Sequence, residues 1–395
     1  MSEMASILSR RFIPPALLAW SALLIVAPNL PAQLSFQFSG YILDLPFYQQ
    51  NPKEFVYIFQ QDKNQLFNLT RLRLRPVLSW GNASRIAMTY EISNLYHLSP
   101  LRGFAVIPNG LHQAVRLSWQ AWKSERALGR HFIDRLYFRQ EFGFGHLIIG
   151  RQRISWGTGR VWNPTDLFNP LNPANFAKIE KDGADAVVFK YYLGNFSDLQ
   201  IVYNAEHHFR RSNFAARLRS HYRTYDFSLL AGRVSRRIVL GGDFAGNLFK
   251  AGFRGELLFS ADQNSFQSNF FRWILGLDYQ FNAKFYGLGE YQHNGEGVTD
   301  RLKYDLPRLF RGEILNVARD YLFLQGTYQL HPLLSGSAAY NGNLNDGSAF
   351  FNFTLSYSAG DNTTISAGTL LTTGDRFDEF WYYAKSYYLQ WQLYF

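Results

Sequence analysis

The last ten residues of the chain place an apolar side chain at every second position. Tyr387, Leu389, Trp391, Leu393 and Phe395 alternate with Ser386, Tyr388, Gln390, Gln392 and Tyr394. A period of two belongs to a strand with one apolar face, whereas a helix would repeat every three to four residues. The same alternation recurs upstream. Phe351, Phe353, Leu355 and Tyr357 alternate with Phe350, Asn352, Thr354 and Ser356, and Ile86, Met88, Tyr90 and Ile92 with Arg85, Ala87, Thr89 and Glu91. Leu72, Leu74 and Leu78 are interleaved with Arg71, Arg73, Arg75 and Val77. Further candidate strands are 34–42, 132–142, 146–156, 184–193, 197–205, 213–221, 225–233, 237–246, 249–260, 269–281, 284–293, 317–330, 333–342 and 362–372. Most run for about 9–13 residues, the length of a tilted strand that crosses a bilayer.

Connections alternate as well. Short ones fall at Gly194-Asn195, Asn282-Ala283 and Gly360-Asp361, and long ones at 97–111, 157–183, 294–316 and 374–385. The expected fold is all-β, a transmembrane antiparallel up-and-down β-barrel of about 18 strands, within roughly 16–20. The count should be even, with both termini periplasmic. Segments 53–62 and 111–123 are too mixed to assign. A soluble sandwich or propeller stays open as an alternative, since alternation alone does not say which face is inside. No repeat of propeller length is visible.

The N-terminus reads as an address. Arg10 and Arg11 precede the apolar stretch Phe12–Ala27, and a Pro-containing run, Pro28–Pro31, follows. This is the pattern of a secretory signal peptide, 1–32, cleaved after Ala32 or Ala27, with 33–395 as the barrel. A retained N-terminal anchor is the other reading. The chain has no cysteine, which excludes disulfides, thiolate metal sites and cysteine nucleophiles. Its 36 Phe and 24 Tyr, with only 18% charged residues, argue against disorder. The formal charge of +10 admits nucleic acid, a membrane surface or an anion path. The basic residues are interleaved at strand period rather than clustered, which disfavours nucleic acid.

A chain ending on an aromatic residue, with aliphatic or aromatic residues at every second place before it, resembles the closing strand of bacterial outer-membrane β-barrels. The resemblance implies an integral outer-membrane location among lipid and lipopolysaccharide. It also implies Phe395, Leu393 and Trp391 as the signal read by the barrel-assembly machinery, and a monomer or homotrimer. A second stretch, Gly150-Arg151-Gln152 followed by Trp156-Gly157 and then Asn163, Pro164 and Asp166, resembles the GRQ-x-x-x-WG segment of alginate-export-like porins and related proteobacterial barrels. It covers about 25 residues and implies a conduit for small or polymeric solutes, or for exported lipids or hydrocarbons.

In a barrel the polar face lines the lumen, because an arginine facing lipid at mid-depth costs ~2–4 kcal/mol. Arg71, Arg73 and Arg75 then form a ladder on one wall, with shorter steps at Arg135 and Arg139, Arg151 and Arg153, and Arg217 and Arg219. Such a wall would favour anions. The alternative is internal pairing, with Glu91, Glu141, Glu256 and Glu290 as available partners. The loop at 157–183, stiffened by Pro164, Pro170 and Pro173 and led in by Trp156, Gly157 and Asn163, is the expected constriction. Within it Asp166 either opposes the basic wall in a transverse field or caps a turn.

Competing chemistry is thin. His97-Leu98-Ser99 matches the His-x-Ser pair of barrel phospholipases, but no Asn partner can be placed beside it. His207-His208 would point its rings to opposite faces, a poor metal clamp. No phosphate-binding or dinucleotide fingerprint occurs. With the first strand near 34 there is no room for an N-terminal plug. No catalytic, metal or cofactor site is assigned. The leading reading is a porin-like channel for small anionic solutes. The alternatives are a conduit barrel plugged by a partner, of lipid, hydrocarbon or electron-conduit type, and a barrel lipase or protease.

Overall fold

The structure, a computed structural model, describes residues 33–53, 56–57, 62–99, 112–169, 180–206, 211–265, 268–310 and 314–395. The expected signal peptide, His207-His208, most of the 97–111 connection, and 170–179 of the 157–183 loop with Pro170 and Pro173 lie outside these residues. The strands are β1 (Leu34–Gln37), β2 (Gly40–Gln50), β3 (Asn64–Leu74), β4 (Val77–Trp80), β5 (Ser84–His97), β6 (Ser118–Lys123) and β7 (Ala127–Phe142). Next come β8 (Gly145–Gln152), β9 (Ala184–Tyr192), β10 (Asp198–Asn204), β11 (Asn213–Tyr222), β12 (Tyr225–Val234), β13 (Arg237–Leu248) and β14 (Ala251–Asp262). The chain closes with β15 (Phe270–Gln280), β16 (Phe285–Asn294), β17 (Asp320–His331), β18 (Leu334–Asn343), β19 (Ala349–Gly360), β20 (Thr363–Thr373) and β21 (Lys385–Tyr394).

These make one closed antiparallel barrel of 18 staves. β1 prolongs β2, and β4 prolongs β3 past Pro76, which has no N–H to give to the ladder. β6 lies against β7 beyond the point where β8 leaves it. Closure is made by β2 against β21, where Tyr41 faces Tyr394. Phe395 exchanges backbone hydrogen bonds with Gly40 at 2.9 and 3.1 Å, and its ring stacks on Phe38. A closed barrel leaves no sheet edge to protect.

The alternation now acquires a direction. Leu229, Leu240, Phe271, Leu275, Tyr387 and Leu389 stand exposed on the outer surface, while their neighbours Leu230, Val239 and Ile274 are buried inside. An apolar belt of this extent suits a hydrocarbon surround rather than water, which overturns the soluble sandwich or propeller. Every two- to five-residue turn between staves lies on the rim that carries both chain ends, except Ser235-Arg236 and the 344–348 turn, which join staves at the other rim. Among the described residues no helix is long and apolar enough to cross a membrane, and the crossing is made by strands.

Candidate functional site: the loop inside the barrel

The segment from Gly150 to Gln152 is where the chain leaves the wall. The expected strand 146–156 ends at Gln152, four residues early; Gly150 within it adopts φ +119°, a conformation open to glycine and strained for other residues. The two residues after it turn to opposite faces. Gln152 points inward and donates to the carbonyl of Ala186 at 3.1 Å. Arg151 points the other way, directly opposite Asp185, and grips it at 2.7 and 2.9 Å. Its guanidinium also donates to the carbonyls of Ile133 (3.2 Å) and Val115.

Segment 112–117 occupies the gap that β8 leaves. His112 accepts from the amide of Asp185 at 3.0 Å, and Leu117 from the amide of Ile133 at 2.9 Å. Val115 donates its amide to the Asp185 carboxylate at 2.9 Å. Arg151 therefore seals the wall between β7, this segment and β9, and the expectation that it lines the pore is corrected. Arg153 lies beyond the strand end and is exposed, so the two arginines do not share a strand face.

From Arg153 to Asn169 the chain runs inside the barrel against β9 to β17. Trp156, Trp162 and Phe168 are each no more than 2% exposed. Trp156 and Phe168 pack on Ala186, Val188, Val202, Ala215, Leu230 and Leu258 of the inner wall, and Trp162 packs against Ile274 and Tyr321. The indole of Trp156 donates to Gln200 at 2.8 Å.

Two wall carboxylates fasten the backbone. Glu256 on β14 accepts from the amides of Thr158 (2.6 Å), Gly159 (2.7 Å) and Thr165 (3.0 Å), and from the Thr165 hydroxyl (2.7 Å). Glu290 on β16 accepts from the amides of Arg160 (2.8 Å), Val161 (3.2 Å) and Trp162 (2.7 Å). A carboxylate gathering several amides stands in for the missing sheet partners of a buried loop. Gly157, at φ +88°, lets the backbone come this close, since a Cβ there would meet Glu256 Oε1 at 2.6 Å.

Asn163 and Pro164 form the turn behind this clasp, and the amide of Asp166 donates to the Asn163 carbonyl at 3.1 Å. Asp166 is buried and paired with Lys181, which ties the outgoing leg of the loop to the returning one. It is a brace within the loop rather than an exposed opponent of the arginines.

The arginine ladder meets the returning leg. Arg71 pairs with Glu91 at 3.0 Å, and Arg73 with Glu91 at 2.6 Å, with Asp134, and with Glu180 at 3.2 Å. Arg75 and Arg135 also reach Glu180, the latter at 3.0 Å. Gly183 then donates its amide to Asp134 at 3.1 Å. Lower on the wall, Arg139 pairs with Glu141, Arg217 with Asp243 (3.4 Å) and Arg219 with Asp198 (2.8 Å). Of the four glutamates expected as partners, Glu91 and Glu141 bind arginine, whereas Glu256 and Glu290 bind main-chain amides. Glu180, Asp134 and Asp185 were not singled out in the sequence. Their only signal is position, one loop leg and one bulge away from the basic positions.

His97 directs Nδ1 to the backbone carbonyl of Ser99 at 2.5 Å and lies tilted against Phe67 with ring centroids 4.2 Å apart. Its imidazole is thus bonded to the main chain of the serine rather than to its hydroxyl.

No family model matches the sequence, and no curated protein matches it. Solved structures do. Pseudomonas aeruginosa OccK9 (OpdG) is similar over 91% of this chain and 98% of its own, with a TM-score of 0.59 at 9% identity. Acinetobacter baumannii OccAB4 matches over 93% and 100%, with a TM-score of 0.56 at 9% identity. Pseudomonas aeruginosa OccD3 (OpdP) matches over 93% and 95%, with a TM-score of 0.54 at 9% identity. The fold is the Occ fold. The chain is an outer-membrane-type β-barrel, and the likeness to the Occ barrels does not extend to sequence. The alginate-export kinship read from Gly150–Gly157 has no counterpart in these comparisons.

Proposed function

We propose that the barrel is a passive outer-membrane channel for small anionic solutes, with both termini in the periplasm and the 157–183 loop as its constriction. The observation that carries the reading is a loop led into a closed barrel and fastened there by Glu256 and Glu290. A loop whose backbone is bonded to the inner wall narrows the lumen at a fixed place. The Occ fold supports the same reading. For anion preference the ladder itself contributes less than its residue types suggest, because Arg71, Arg73 and Arg75 are neutralised by Glu91, Asp134 and Glu180. Arg153 and Arg160, exposed on the inward loop, are the better candidates for biasing the charge of what passes.

A second reading, a barrel whose lumen is filled, is favoured by Tyr41, Leu43 and Leu45, which are buried on the inward face of β2. Planar-bilayer recordings separate the two. The channel reading expects stepwise conductance and a reversal potential displaced toward anions in a salt gradient. That displacement should shrink when Arg153 and Arg160 become Gln. Electrical silence of a correctly folded barrel would favour the filled lumen instead.

A further inference from the structure

A cavity of about 350 Å3 opens in the lumen at the rim carrying both termini. It is lined by Arg139, His146, Lys190, Tyr192, Asp198 and Arg219, with the turn Gly194–Ser197 as its floor. These side chains come from β7 to β11, well below the loop clasp.

The charges do not balance. Arg139 uses Glu141. Lys190 and Arg219 must share one carboxylate, Asp198: Lys190 Nζ stands 3.5 Å from it, and Arg219 lies at 2.8 Å through Nη2 and 3.0 Å through Nε. His146 and Tyr192 share a 2.8 Å hydrogen bond. Three cations thus face two carboxylates in a recess walled by protein, where field lines concentrate and a bound anion is poorly screened. The long Lys190 contact leaves ammonium donors for a third party.

We infer that this recess is an anion subsite at the periplasmic mouth, roomy enough to admit a solute bearing a phosphate or carboxylate group and reached from the periplasm. The inference rests on the proposed channel reading for its sidedness alone; binding is independent of conduction.

Inorganic phosphate is the probe. Titration calorimetry on the detergent-solubilised barrel should show saturable binding that weakens by about tenfold or more in Lys190→Gln/Arg219→Gln. Asp198→Asn removes the competing carboxylate and should tighten binding, an opposite sign that a merely damaged fold would not give. Heat-modifiable migration on gels confirms that each variant is a barrel. No phosphate binding by the wild type, or equal binding by all three proteins, overturns the subsite. Calorimetric binding without conductance would retain the subsite while refuting the channel. In a conducting barrel, block by phosphate from the terminus-bearing side only supports the inference. Equal block from both sides overturns its placement.

Discussion

Replacing Glu256 by Gln changes one oxygen and should free the loop. In the native barrel Oε1 accepts the amides of Thr158 and Gly159, and Oε2 accepts the amide and hydroxyl of Thr165. A glutamine retains one oxygen. Its NH2 group must then face either the two N–H donors of Thr158 and Gly159 or the Thr165 amide, where the Thr165 hydroxyl can turn to accept, so at least one of the four bonds is lost and donor meets donor. Hydrogen bonds to a charged acceptor contribute about 1.5–3 kcal/mol each, and a buried donor left unpaired costs about 1–3 kcal/mol. Allowing for non-additivity, the docked loop should lose about 2–4 kcal/mol, a shift of roughly one and a half to three orders of magnitude in the docked-to-released ratio. Glu290 and the burial of Trp156 and Trp162 remain, so the barrel still closes. Single-channel recording should then show larger mean conductance with open-channel noise absent from the wild type. Digestion of solubilised protein should nick the 153–169 stretch faster. Unchanged conductance, noise and protease resistance would refute the claim that this carboxylate holds the constriction.

Three other perturbations read different parts of the same construction. Gly157→Ala puts a Cβ against Glu256 Oε1 at a φ of +88°, at a cost of about 1–3 kcal/mol, and should reproduce the noisy conductance in milder form. Arg151→Gln leaves Asp185 without its cation in a buried seam, with a penalty of about 3–5 kcal/mol, and should lower the temperature at which the folded band is lost on gels. The third concerns Glu379, in the 374–384 loop, where burial pushes the carboxyl up to about 8. It accepts from Tyr321 at 2.6 Å and Asn343 at 3.0 Å, close to Asp346, which itself accepts from Tyr304 and from the Glu379 amide. A folded value above the unfolded 4.5 means the protonated form is the one the fold prefers. The contribution is therefore complete in acid and is lost as pH rises from the ordinary carboxylate range through about 8. Proteolysis of this loop should accelerate over that window, and Glu379→Gln should flatten the profile.

The barrel was legible because it depends on a repeat. Strands such as 184–193 and 225–233 end within a residue or so of β9 and β12, and the stave count follows from turns that recur with them. The 34–42 strand was less faithful, because it joins β1 to β2 across Phe38-Ser39, and β2 runs on to Gln50 through Pro46, which a strand reading avoids. The site was legible as a place and not as a mechanism. Gly150–Gly157 marked the departure of the chain, yet period-two logic extended the strand to Trp156 and set Arg151 beside Arg153 on one face. The ladder stays in register through Gln152, with Arg151 opposite Asp185, and the shared face is lost because the strand stops before Arg153.

The partner a buried glutamate takes depends on what the loop brings, which no strand pattern records. Glu91 and Glu256 look alike in sequence, single acids on the inward face of an alternating strand. Glu91 is directly opposite Arg73 on β3, so a guanidinium is within reach whatever the loops do. Glu256 sits between Asp243 and Ile274 on its two neighbours, where no cation stands opposite, so its charge needs another source of donors. A backbone turning through Thr158–Thr165 supplies them without bringing a charge of its own. At these two positions the cross-strand neighbour goes with the partner: Glu91, opposite arginine, holds the ladder, and Glu256, opposite a carboxylate and an apolar residue, captures the loop. Placing Arg opposite Glu256, as Asp243→Arg, should redirect that carboxylate to the wall. If the loop in such a variant stayed as protease-resistant and the conductance as quiet as in the native barrel, cross-strand identity would not be what selects the anchor.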